Sequence, residues 1–203
     1  MIISWLGDAG IRLQIKDTVV LIDPPAASAG LKPTKQAATI VALTQAEGTD
    51  AKSVSGEPLM IVSPGEYERQ GVFIYGIQVP TDPARTHFRV EAEELSLGHL
   101  GGLKAKLDNG QLAAFEGVDI LFVPVGGKSV YDADEASTLI SQIEPRIVIP
   151  IQYKYPGQTA GYSDVAAFLK EMGSKSSEAV DKLKIVKKDL PADETQVMVL
   201  SLS

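Results

Sequence analysis

The chain has two histidines, His87 and His99, and no cysteine. Imidazole and thiolate are the commonest zinc donors. Without cysteine, thiolate sites, disulfides and a cysteine nucleophile are all excluded. A two-metal centre built on imidazole needs more histidine than this chain has. Oxygen donors are more plentiful. Asp8 lies in Gly7-Asp8-Ala9-Gly10, Asp23 precedes Pro24-Pro25, and Glu47 and Asp50 stand three apart in the polar stretch from Thr44 to Gly56. Other catalytic patterns fail. Gly98-His99-Leu100-Gly101-Gly102 is neither a G-x-G-x-x-G nor a Walker loop. Gly126-Gly127-Lys128-Ser129 ends like a P-loop, but Phe122-Val123-Pro124-Val125 stands where the upstream glycine belongs. There is no G-x-S-x-G nucleophile elbow.

The elements that must position these residues read as strands in the first half. Ile2 to Leu6, Ile11 to Ile15, Thr18 to Ile22, Thr39 to Leu43, Leu59 to Val62, Val72 to Val79 and Glu93 to Leu97 are short apolar runs broken by turn residues. Pro24 has no N–H and confines Asp23 to extended backbone, so the third run stops there. The second half alternates. A strand from Asp119 to Val123 precedes a helix from Ala133 to Ile143, with Asp132 as N-cap and Glu135 completing a capping box. Ala136, Leu139, Ile140 and Ile143 give that helix one apolar stripe. Arg146 to Ile151 is a strand of buried type. Ser163 caps a second helix with Val165, Phe168, Leu169 and Met172 as its stripe and Gly173 as its stop. Glu178 to Leu183 reads as a short helix, and Ile185-Val186 and Val197 to Leu200 as closing strands. His87 reads as an exposed strand histidine, and Asp23 as a turn residue accepting local N–H bonds.

The chain has 203 residues, 44% of them hydrophobic and 22% charged, and a formal net charge of -7. That is ordinary for one globular domain, expected to span 1–203. The negative balance argues against nucleic acid as a partner. No window approaches a membrane span, and the start shows no basic region followed by a long apolar stretch. No membrane partner and a cytoplasmic location are therefore expected. Strand-rich parts with helices outside predict an α/β fold, a four-layer αββα sandwich.

Six segments in order resemble the metallo-β-lactamase superfamily. The likeness is to its small branch of metal-dependent (Zn-dependent) hydrolases related to the ascorbate-phosphate lactonases. They are Trp5 to Gly10, Leu21-Ile22-Asp23-Pro24, Ser63-Pro64-Gly65-Glu66-Tyr67-Glu68, His99-Leu100-Gly101-Gly102-Leu103, Val118 to Gly127, and Ile147 to Lys154. The resemblance implies the αββα fold and a zinc centre at one loop edge, where metal-bound hydroxide performs hydrolysis.

Carried over position by position, the ligands implied by the resemblance are replaced. Gln45 and Glu47 stand where the first two histidines of the main motif belong. Thr49 takes the place of its aspartate and Asp50 that of its last histidine. Thr81 stands for the next histidine, Gly102 for the bridging aspartate, Gln152 for the final histidine, and Asp8 for the histidine of the opening turn. His99 survives outside the principal ligand positions and reads as a hydrogen-bonded structural histidine. The resemblance thus implies a degenerate member without the zinc cofactor and without zinc hydrolase activity, acting as a binding or structural protein. The alternative is a hydrolase with an altered oxygen-ligand site, with Asp8, Glu47, Asp50 and the amides of Gln45 and Gln152 holding Mg²⁺, Ca²⁺ or Mn²⁺. A third reading is a homo-oligomeric self-association module.

Overall fold

A computed structural model describes residues 1–31, 36–45, 49–102, 104–174 and 178–203. The strands in chain order are β1 (Ile2–Gly7), β2 (Gly10–Ile15), β3 (Thr18–Ile22), β4 (Gln36–Ala37), β5 (Ile40–Ala42), β6 (Val54–Ser55), β7 (Leu59–Ile61), β8 (Gly65–Arg69), β9 (Val72–Gln78), β10 (Thr86–Ala92) and β11 (Leu95–His99). After them come α1 (Asn109–Ala114), β12 (Ile120–Pro124), α2 (Ala133–Ile143), β13 (Ile147–Ile151), α3 (Ala166–Glu171), β14 (Leu183–Lys184) and β15 (Gln196–Val197).

Two sheets face each other. One has the order β14-β1-β2-β3-β5-β7, the other β15-β13-β12-β11-β10-β9-β8. Antiparallel pairing at the hairpin strands gives way to parallel pairing of β3 with β5 and β7, and of β11 with β12, β13 and β15. Alternate residues of both sheets, such as Ile11, Val20, Phe88 and Phe122, meet in one core. The outward residues Leu6, Leu21, Val41 and Leu43 form a second cluster under Ala38, Ala51 and Val54. Over the first sheet the outer layer is thus a 3₁₀ turn and the β4–β6 ribbon. Over the second, α1 and α2 supply it. The architecture is the αββα sandwich expected from the sequence. Among the described residues no helix is long and apolar enough to cross a membrane.

Helix α2 covers the predicted span. Asp132 accepts from the Glu135 N–H at 3.0 Å, and the Glu135 carboxylate accepts from the Asp132 N–H at 3.0 Å. Its stripe of Ala136, Leu139, Ile140 and Ile143 is buried. Several expectations fail because pairing and packing with distant segments override local preference. The strand predicted from Glu93 starts at Leu95, because Glu93 and Glu94 both take positive φ, 52° and 65°, and make the hairpin turn between β10 and β11. The cap predicted at Ser163 is absent from α3. Ser163 uses its backbone to join Gly126 and Lys154, and Asp164 accepts from the Ala166 N–H instead. The helix predicted over Glu178 to Leu183 is extended, because Val180 bridges Leu200 in parallel. The closing strands predicted at Ile185-Val186 and Val197 to Leu200 fall instead at Leu183–Lys184 and Gln196–Val197, where β1 and β13 offer pairing partners. His87 is 1% exposed, not solvated, because α1 is followed by Phe115, which packs 6.2 Å from the imidazole.

Replacing Asp132 by Ala removes both capping-box bonds. It is expected to cost about 1 kcal/mol and lower the melting temperature by roughly 2–4 °C, as read by thermal unfolding.

Candidate functional site

The loops after β1, β3, β5, β11 and β13, with the turn before β10, come together at one edge of the sandwich. Three residues there carry side chains on left-handed backbone: Asp8 (φ 48°), Gln152 (φ 50°) and Asp23 (φ 46°), which is not extended as expected before Pro24 because its N–H and carboxylate are held by Ala42 and Thr44. Such backbone costs on the order of 1 kcal/mol or more for a residue with a Cβ. Each is held by longer-range contacts. The Gln152 N–H donates to the Asp8 carbonyl at 3.1 Å, and the Asp8 carbonyl also accepts from Trp5 Nε1 at 2.9 Å.

Asp23 lies at the end of β3 and is 4% exposed. Its carboxylate does not serve its own turn, as the sequence suggested. It reaches Thr44, beyond the end of β5, accepting from the Thr44 N–H at 2.7 Å and from the Thr44 hydroxyl at 2.5 Å. Burial outweighs these bonds, and nearby Asp8 adds to it, so the Asp23 carboxyl is pushed up to about 7.

His99, at the end of β11, is fully engaged. Its Nδ1 accepts from the Gly101 N–H at 3.1 Å, which leaves the proton on Nε2 to be donated to the Ala9 carbonyl at 2.9 Å. Burial pushes His99 and His87 down to about 4. Both are neutral imidazoles at neutral pH.

Gln152 and Gly102 share one space. The Gln152 amide donates to Asp8 Oδ1 at 3.1 Å and lies 3.5 Å from the Tyr162 hydroxyl. A Cβ at Gly102 would fall 2.6 Å from Gln152 Nε2 and 2.9 Å from Oε1. Gly101 (φ 64°) has Thr44 at 2.6 Å from its own Cβ position, so only glycine lets the two loops meet there.

Arg85 is the residue sequence reasoning missed. Its Nη1 donates to Gln45 Oε1 and lies 3.5 Å from the Gly102 carbonyl, while Nε pairs with Asp82 at 2.9 Å. The guanidinium thereby joins the loop after β5 to the loop after β11. Its charge is felt at Asp23, His87 and Tyr162. Nothing in the sequence around Arg85 marks it. It lies four positions beyond Thr81, which is exposed in the preceding turn.

The structure therefore brings Asp8, Gln152 and Gly102 together, with Gln45 joined through Arg85 and His99 through Ala9. Thr49 bridges Pro25, and its hydroxyl lies 3.5 Å from the Gln45 carbonyl. Asp50 is turned to its own chain, accepting from the N–H groups of Lys52 and Ser53 at 3.1 and 3.2 Å. Glu47 lies outside the described residues. Among the described residues no three of His, Asp and Glu come together as a metal-binding group.

The buried groups make opposing contributions to stability. Asp23 holds its proton more tightly in the folded chain, so its contribution is present below pH 4 and falls as pH rises towards 7. The two histidines hold theirs less tightly, so stability rises between pH 4 and 6.5. Each group contributes a slope on the order of 1 kcal/mol per pH unit. With two histidines against Asp23, and Asp8 also raised, unfolding free energy should change only gently from pH 4 to 6.5. Asp23→Asn should steepen the rise, as measured by denaturant titration across that range.

A family model described as a beta-lactamase superfamily domain matches residues 2–152. A UPF0173 protein from Pyrococcus furiosus is 40% identical over 55 residues, which is 27% of this chain and 24% of that protein. This chain thus matches about a quarter of that relative's length. Among solved structures, a Thermotoga maritima protein assigned to the Zn-dependent hydrolases of the metallo-β-lactamase superfamily is 26% identical. It superposes with a TM-score of 0.82 over 98% of this chain and 100% of that one. Igni18, a metallo hydrolase from Ignicoccus hospitalis, is 14% identical with a TM-score of 0.66, covering 91% of this chain and 98% of that one, and shares the fold. The motifs, the paired sheets and the matched residues lead to one conclusion: the chain belongs to the beta-lactamase superfamily domain family and has the metallo-β-lactamase fold.

Proposed function

We propose that this chain is a metal-free member of its family, in which the loop edge serves binding or structure and not zinc-dependent hydrolysis. The observation that carries this reading is Arg85, a permanent cation tying Gln45 to the Gly102 carbonyl among loops from which the family draws its metal ligands. A second cation would meet its repulsion, about 4 kcal/mol for two unit charges about 4 Å apart at an effective dielectric of about 20. The remaining donors are too few for zinc. Both His99 nitrogens are bonded, the Asp23 oxygens face Thr44 and neutral amides are weak ligands, and Asp8 and the unpartnered His87 Nε2 are not joined by a third His, Asp or Glu among the described residues.

Of the oxygen-ligand set, Asp8 and Gln152 meet, but the Gln152 amide donates to Asp8 and Gln45 is taken by Arg85. Asp50 would have to release Lys52 and Ser53, and Glu47 lies outside the described residues.

The chain purified from medium supplemented with zinc, manganese and calcium should carry well under one equivalent of any of them, by elemental analysis. None of these ions should move its melting temperature, since a ligand specific to the native state must raise it. Stoichiometric metal, lost on changing Glu47 or Asp50, would overturn the proposal. Arg85→Ala should destabilise by roughly 1–3 kcal/mol. Arg85→Lys should recover only part of that, because a point charge cannot reproduce the guanidinium's fork.

A further inference from the structure

Beside the Asp8–Gln152 contact lies a cavity of about 140 Å³ between the turn at Ser28–Ala29 and the segment from Tyr155 to Tyr162. Its two walls are fastened together. The Tyr155 hydroxyl donates to the Ala29 carbonyl at 2.7 Å, and the Thr159 hydroxyl to the Ser28 carbonyl at 3.1 Å. Among the described residues Asp8 is the sole charged one lining it. The Asp8 carboxylate takes the Gln152 amide at 3.1 Å and forms no ion pair among the described residues. Burial holds its proton more tightly than usual, and its negative charge is felt at both Tyr155 and Tyr162. Arg85 acts on Asp23 and Tyr162. The groups that set the acidity of Asp8 are its burial, Gln152 and the Ala9 N–H. Gln158, which lines the cavity at another point, has a buried Nε2 donor with no hydrogen-bond partner.

We propose that this cavity binds a small primary ammonium compound, its nitrogen on Asp8 and an acceptor oxygen turned towards Gln158. A partly desolvated carboxylate without a counter-charge gains most from a cation that can also donate an N–H to it. Gln158 Oε1 accepts from the Gly161 N–H at 3.1 Å and its Nε2 is closed off from solvent, so the amide must turn into the cavity to meet a hydroxyl or carboxylate oxygen on the same ligand. The volume is below the usual ligand range of about 300–1,000 Å³, which limits the ligand to a few heavy atoms, the size of ethanolamine or glycine. The proposal rests on the metal-free reading, since a metal on Asp8 would take the carboxylate away.

Isothermal titration and thermal unfolding of the metal-analysed full chain test it, with methylammonium, ethanolamine and glycine as probes. Tetramethylammonium, which has no N–H to donate, and sodium chloride at equal ionic strength are the controls. Saturable binding and a raised melting temperature are expected with ethanolamine or glycine, weaker with methylammonium, and absent with the controls. Asp8→Asn, which keeps a residue tolerant of left-handed backbone, should weaken binding by about tenfold or more. The exposed Ala160→Trp should block the cavity mouth while leaving the melting temperature of the free chain nearly unchanged. No saturable effect from any amine, or equal effects in the wild type and both variants, overturns the site and leaves the metal-free reading standing. Stoichiometric metal in the starting protein overturns the metal-free reading on its own account.

Discussion

The edge where the site lies depends on one buried carboxylate. Asp23 ends β3, and its two oxygens take the N–H and hydroxyl of Thr44 just beyond β5. Parallel neighbours cannot be joined by a tight turn, so their ends must be registered by something other than a hairpin. This side chain does it, and the position of Thr44 then sets the neighbouring loops. Gly101 fits against Thr44, the Thr44 carbonyl accepts the N–H of Thr86, and Gln45 comes within reach of Arg85. Four loops are indexed to one residue. Burying a carboxylate is costly, and the weakened acidity of Asp23 is the signature of that cost.

Much of the fold was legible because apolar periodicity and capping chemistry are local. The α2 stripe and its Asp132–Glu135 box need no knowledge of the rest of the chain. The β-branched run that stops at Asp23-Pro24 is equally self-contained. The failures share a cause. Glu93-Glu94 is a poor hairpin-turn sequence taken by itself, and it adopts left-handed backbone because β10 and β11 pair around it. Val180 leaves the helical pattern because the C-terminal segment offers it a bridge. Tertiary pairing overrode local preference in both.

The candidate site was legible in outline and not in content. The resemblance located Asp8, Gly102 and Gln152, and those three meet. It could not show that Arg85 reaches Gln45, because a lone arginine in a polar turn has no sequence signature. Nor could it show that Asp50 is spent on its own 3₁₀ turn. The residue types at these positions do not show which contacts their side chains make. Those depend on side-chain reach across loops far apart in the chain.

The shared space of Gly102 and Gln152 constrains any change of side chain at this edge. A carboxylate introduced at 102 alone would drive its Cβ into the Gln152 amide, which is itself anchored on Asp8. Changing 152 alone would leave Asp8 without that amide and a hole beside Gly102. The far end of Gln152 would have to swing off Asp8 to admit a side chain at 102, so the two positions are energetically coupled.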